Sequence, residues 1–129
     1  MEIERRALVL GAAALATVHP SASSAATREL SMYGLIGKMT AKRGRGDELA
    51  QILLQGVAGM PGCLSYVVAT NPENADFVWI MEVWTNRESH AASLSLPSVR
   101  DAITKGRPLI DAMETVSETV PLGGSGLRQ

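Results

Sequence analysis

The run Phe77-Val-Trp-Ile-Met-Glu-Val-Trp-Thr85 constrains this chain more than any other stretch. It is the longest series of strand-forming residues, and it carries both tryptophans and the only phenylalanine. Side chains alternate across a strand, so Phe77, Trp79, Met81 and Val83 share one face, and Val78, Ile80, Glu82 and Trp84 share the other. Both faces are largely apolar. A strand in a two-layer domain needs only one such face, so the second also has to be covered, by helices, another sheet or a second copy. The segment therefore reads as a central strand. Thr85-Asn86-Arg87-Glu88 follows as a helix start, with His90 in the first two turns.

The rest of the chain supplies three more strands. Tyr33 to Lys42 alternates loosely and ends at the Gly/Arg cluster 43–46, which predicts a first strand and a loop. Asp47 is placed to cap a helix. Leu49, Ile52, Leu53, Gly56, Val57 and Met60 recur at helical spacing, and the helix ends within Gly59 to Gly62. Cys63 to Thr70 reads as a second strand, with Tyr66 and Val68 on one face and Ser65 and Val67 on the other. The turn 71–76 joins it to the central strand as an antiparallel hairpin. Past the central strand, a helix is predicted over Asn86 to Leu96. Pro97 opens another that runs through Val99 and Ile103, with Gly106 and Pro108 interrupting it and its end left open as far as Asp111, and a last strand covers Met113 to Val120.

This order is β-α-β-β-α-β, the ferredoxin-like α+β arrangement: a four-stranded antiparallel sheet with helices on one face. In a monomer the second face would lie open, so a homodimer is expected in which two sheets close over each other.

Domain boundaries follow from the ends. Arg5 and Arg6 precede the apolar run Ala7 to Val18, and small residues follow to Ala26. This is the pattern of an export signal over residues 1–26, with 27–32 as linker, 33–121 as the folded domain and 122–129 as a Gly-rich flexible tail. The apolar run falls well short of the roughly 20 residues that span a bilayer, so no stable membrane anchor is expected. Glu4 and Leu8 fit the twin-arginine pattern poorly. The protein is periplasmic or secreted on this reading, and cytoplasmic if translation starts at Met32. The net charge of -1 gives no electrostatic basis for binding nucleic acid. Cys63 is the single cysteine, which excludes an intrachain disulfide and a cysteine-based metal cluster.

Gly62-Cys-Leu-Ser-Tyr66, Met81-Glu-Val-Trp-Thr85, Glu88-Ser-His90 and Leu96-Pro-Ser-Val99 with Pro108-Leu109 together resemble the antibiotic biosynthesis monooxygenase superfamily. The resemblance covers about Tyr33 to Pro121. It implies a dimeric α/β barrel and, as chemistry, oxidation of a quinol or polyphenol-like aromatic by O2 with no cofactor, neither metal nor flavin. Such a site is an apolar pocket for a small aromatic substrate, with a few polar groups to take a proton and hold an oxyanion. On that reading His90 and Trp84 are the catalytic candidates, and Tyr66, Tyr33 and Glu82 the substrate-binding ones.

Each candidate has a competing structural role. Trp84 is equally a core aromatic, His90 a helix brace, and the tyrosines packing residues with a satisfied hydroxyl. Glu82 is costly to bury unpaired, so an ion pair or hydrogen bond that fixes the next helix competes with catalysis. Arg87, Arg100 and Arg107 read as solvated helix-face charges. Two other functions stay open. One is a non-catalytic dimeric barrel that binds a small apolar ligand. The other is haem degradation, which the resemblance ties to an amide on the first strand and a histidine on a later helix, where this chain has neither.

Overall fold

The computed structural model describes residues 31–127. The segment read as an export signal, with most of the linker, lies outside the described residues. Among those described, no helix is long and apolar enough to cross a membrane. Four strands form one antiparallel sheet: β1 (Tyr33–Ala41), β2 (Cys63–Asn71), β3 (Asn74–Trp84) and β4 (Ile110–Thr119). Three helices interleave with them, α1 (Gly46–Gly56), α2 (Arg87–Ser93) and α3 (Pro97–Gly106). The sheet order is β2-β3-β1-β4, so β3 is an interior strand, as its two apolar faces require.

Register sorts the side chains as alternation predicts. Tyr33, Leu35, Gly37 and Met39 of β1 pair with Trp84, Glu82, Ile80 and Val78 of β3. On the helix-covered face Val78, Ile80 and Trp84 are buried and centre the core, with Leu49 of α1 and Met39 of β1. The opposite face carries Phe77, Trp79, Met81 and Val83. Part of it is covered by its own neighbours: the Lys38 ammonium lies 4.2 Å from the Phe77 ring centre and 5.3 Å from that of Trp79. The Trp79 indole N–H donates to Asn71 Oδ1 at 2.6 Å.

Several boundaries differ from the sequence-based expectation. The first helix stops at Gly56 rather than near Gly59 to Gly62, although Met60 beyond it is still buried. Asp47 makes no cap. Instead Asp76, across the hairpin, accepts hydrogen bonds from the backbone N–H of Gly44 and of Gly46, both at 3.0 Å. Gly46 has to be glycine for this docking, because a Cβ would run into the Ala75 carbonyl. The hairpin turn shrinks to Pro72 and Glu73, since pairing resumes at Asn71 opposite Asn74. The helix expected over 86–96 runs only from Arg87 to Ser93, with Asn86 Oδ1 accepting from the Ser89 N–H as its cap. The helix opened by Pro97, whose end the sequence leaves open, stops at Gly106, the first of its two interruptions. Pro108 has no N–H with which to continue it, so Arg107–Leu109 tightens into a 3-10 turn and β4 begins at Ile110.

Two close approaches set the helices over the sheet. A Cβ on Gly56 would lie 2.6 Å from the Ala102 Cβ, so α1 and α3 cross nearly backbone to backbone. Gly62 has φ +79° and faces Ser89, so the start of β2 sits tight against the start of α2, with the Thr85 N–H donating to the Gly62 carbonyl at 2.9 Å.

Candidate functional site

Four of the five residues singled out above line one cavity of about 190 Å3. It lies between the helix-covered face of the sheet and the helices. Glu82 and Trp84 enter it together because they are two residues apart on β3. Tyr66 is the register partner of Glu82 on β2. His90 arrives from α2, which the Asn86 cap starts directly after β3 and which therefore folds back over the end of that strand. The remaining wall is almost wholly apolar, with Met39, Leu53, Val57, Met60, Ile80 and Ile103 among it.

The polar groups form a connected set. The Trp84 indole N–H donates to Glu82 Oε1 at 3.0 Å, and His90 Nε2 lies 3.8 Å from the same oxygen. The His90 ring stands edge-on to Trp84, with centres 5.5 Å apart, and is tilted against Tyr33 at 5.3 Å. The Glu82 side chain is only 10% exposed and that of His90 20%, so the pair works at low dielectric. Tyr33 is buried behind His90 and is not among the cavity-lining residues. The Arg87 guanidinium lies 4.6 Å from the Tyr33 ring centre and binds Glu118 at 2.6 Å. Arg87, read as a solvated charge, thus ties α2 to β4. Nothing in the local sequence pairs it with a residue 31 positions away.

Burial sets the protonation of the site. It pushes the Glu82 carboxyl above its ordinary value, while the Trp84 N–H and then the charge of His90 pull it back down. The Tyr66 phenol is driven up by burial, and further by the negative charge of Glu82 and, at alkaline pH where the thiol ionises, of Cys63. It therefore stays protonated, and its O–H has no hydrogen-bond acceptor among the described residues. Tyr33 is raised too, by burial and by Glu118, with Arg87 opposing. Burial also raises the Cys63 thiol, which donates to the Ser65 carbonyl at 3.6 Å and so remains un-ionised at neutral pH. The arrangement can take up an aromatic ring, accept a proton at Glu82 or His90, and donate a hydrogen bond from Tyr66. Among the described residues no three His, Cys, Asp or Glu side chains come together as a metal site.

Comparison with known proteins agrees with this fold. The family model for antibiotic biosynthesis monooxygenase matches residues 32–105. The chain is 62% identical to a candidate antibiotic biosynthesis monooxygenase from Chloroflexus aurantiacus J-10-fl, whose crystal structure superposes with a TM-score of 0.73 over 76% of this chain and 100% of the other. At the level of fold it is similar to SnoaB from Streptomyces nogalater, described as a cofactor-independent oxygenase, with 15% identity, a TM-score of 0.61 and coverage of 74% and 97%. A candidate antibiotic biosynthesis monooxygenase from Caulobacter crescentus CB15 gives 13% identity, a TM-score of 0.66 and coverage of 78% and 99%. No curated protein matches the sequence.

Proposed function

The chain belongs to the antibiotic biosynthesis monooxygenase family, and from that premise we propose that it oxidises a quinol or polyphenol-like aromatic with O2 and without a cofactor. The observation that carries this reading is the connected set Glu82, Trp84 and His90, with Tyr66 beside Glu82 on the next strand, at the wall of an otherwise apolar cavity. The substrate ring enters the cavity and loses its water. Its phenolic proton passes to the Glu82 and His90 pair, and Tyr66 donates a hydrogen bond to the resulting oxyanion. The phenolate gives one electron to O2, and the two radicals join at a ring carbon. The peroxide anion so formed takes a proton, and the resulting hydroperoxide loses water, made from its terminal OH and the hydrogen on that carbon, leaving a carbonyl. Trp84 holds the Glu82 carboxylate in place and walls the ring.

Size narrows the substrate. A dry cavity of about 150 Å3 holds one benzene ring, so about 190 Å3 suits a single substituted ring.

Oxygen uptake with a panel of hydroquinones and polyphenols tests the proposal. The wild-type protein is expected to accelerate uptake, and His90→Ala to reduce the rate about 100-fold while ring binding persists. Binding without turnover across the whole panel would leave an apolar-ligand carrier as the better account.

The homodimer belongs to the same reading. Val67 is 47% exposed and Met81 38%, side by side on the uncovered sheet face with Trp79 and Val83. A second copy packed on this face buries that surface. Sedimentation is expected to give twice the chain mass, and Met81→Glu to weaken association at least 100-fold. A single-chain mass at every concentration rules the dimer out.

A further inference from the structure

A second cavity, also of about 190 Å3, adjoins the first. Met39, Leu53, Ala102, Ile103 and Met113 belong to the walls of both. The two spaces are therefore neighbouring lobes, parted by side chains that include two methionines, which are unbranched and change rotamer at little cost. The second lobe is completed by Leu49, Gly106, Ile110 and Arg107, so Arg107 is its one charged lining residue among the described residues. The Arg107 guanidinium is exposed and has no acidic partner among the described residues. The shared wall is also poorly covered: Met113 is 65% exposed and Ile103 39%. Apolar area left open between two joined hollows gains from being covered by an apolar group that spans them.

The geometry points to a two-part substrate, whose reacting ring fills the first lobe and whose apolar substituent, about as large as that ring, fills the second. This rests on the quinol reading of the first lobe. The substituent passes over Met39 and Met113, which are paired side by side on the sheet, and ends near Arg107, so an acidic group at its far end meets a cation with no acidic partner among the described residues. Chain length is then a determinant of specificity that the polar set around Glu82 does not control.

A series of 2-alkylhydroquinones from methyl to hexyl tests the inference. Affinity is read anaerobically by quenching of tryptophan fluorescence, since Trp84 lines the first lobe, and oxygen uptake is read separately in air. The expected result is a dissociation constant that falls about fourfold per added methylene until the lobe is full. Ile110→Phe, which puts a ring in the second lobe alone, is expected to flatten that slope. Arg107→Ala, a change at an exposed position, is expected to weaken a hexyl chain with a terminal carboxylate by up to about fivefold relative to the plain chain.

Affinity independent of chain length in the wild type, or the full slope retained in Ile110→Phe, overturns the inference. If Ile110→Phe does not fold, the wild-type slope and the Arg107→Ala ratio decide the matter together, and loss of either one overturns it. A slope without oxygen uptake supports the second lobe and sinks the catalytic reading instead. Oxygen uptake without a slope does the reverse.

Discussion

Trp84→Ala is expected to lower the unfolding free energy by about 3–5 kcal/mol, the range for truncating a buried aromatic. In a domain of this size that corresponds to a fall in Tm of more than about 12 °C. Trp84 has no exposed surface and anchors a cluster with Tyr33 and Met60, with Leu96 and Val99 packed against it. The cavity beside it means that the space left by truncation opens into an existing hollow, which the surroundings cannot close. The loss also strips Glu82 Oε1 of its indole donor. Trp84→Phe weighs the two effects against each other, because it keeps an aromatic ring and most of the volume while removing the N–H. Its cost is expected to be about 1–3 kcal/mol. Thermal and urea melts of the two variants give the comparison. A Trp84→Ala protein within 1 kcal/mol of wild type would show that this residue is not a pillar of the domain.

Glu82→Gln is expected to separate activity from stability. Glutamine keeps the oxygen that accepts from the Trp84 N–H but cannot accept the substrate proton. Oxygen uptake should fall by about 10²–10⁴. Stability should move the other way at neutral pH. Burial holds the Glu82 carboxyl above its ordinary value near 4.5, so the folded state binds this proton more tightly than the unfolded chain does. The stability it contributes is full below about pH 4.5 and is lost as pH rises through the raised value in the folded protein. Glutamine carries no such term. The variant should match or exceed wild-type stability at pH 7–8 and lose its advantage toward pH 4. Wild-type turnover should rise over the same interval in which Glu82 gives up its proton, since only the carboxylate is a base. The checks are melts across pH 4–8 and the pH profile of oxygen uptake. A variant that is both active and less stable at pH 8 would remove Glu82 from the proposed chemistry.

The central strand was legible in the sequence because its alternation is uninterrupted and apolar on both sides. Nine residues from Phe77 to Thr85 sufficed to place it inside the sheet and to put Glu82 and Trp84 on one face. His90 was legible for a local reason too: the Asn86 start fixes the helix, and the helix fixes the ring's position. Tyr66 followed from strand alternation, but its facing Glu82 required the register. What stayed hidden was long-range. Asp76 capping α1, Lys38 over Phe77 and Trp79, and Arg87 bound to Glu118 each join residues too far apart for any periodicity to relate them. Tyr33 shows the same limit from the other side. Its strand was predicted, but the fold puts it behind His90 rather than in the cavity wall.

The Asp76 clamp also imposes an order of assembly. Its carboxylate closes the first turn of α1 from a position 30 residues downstream of Gly46. While the chain is being made, α1 leaves the ribosome with the Gly44 and Gly46 N–H groups bonded only to water. The clamp can form only once the hairpin that carries Asp76 has emerged and closed. The start of α1 therefore gains this anchor only after a sheet element that follows it in the chain.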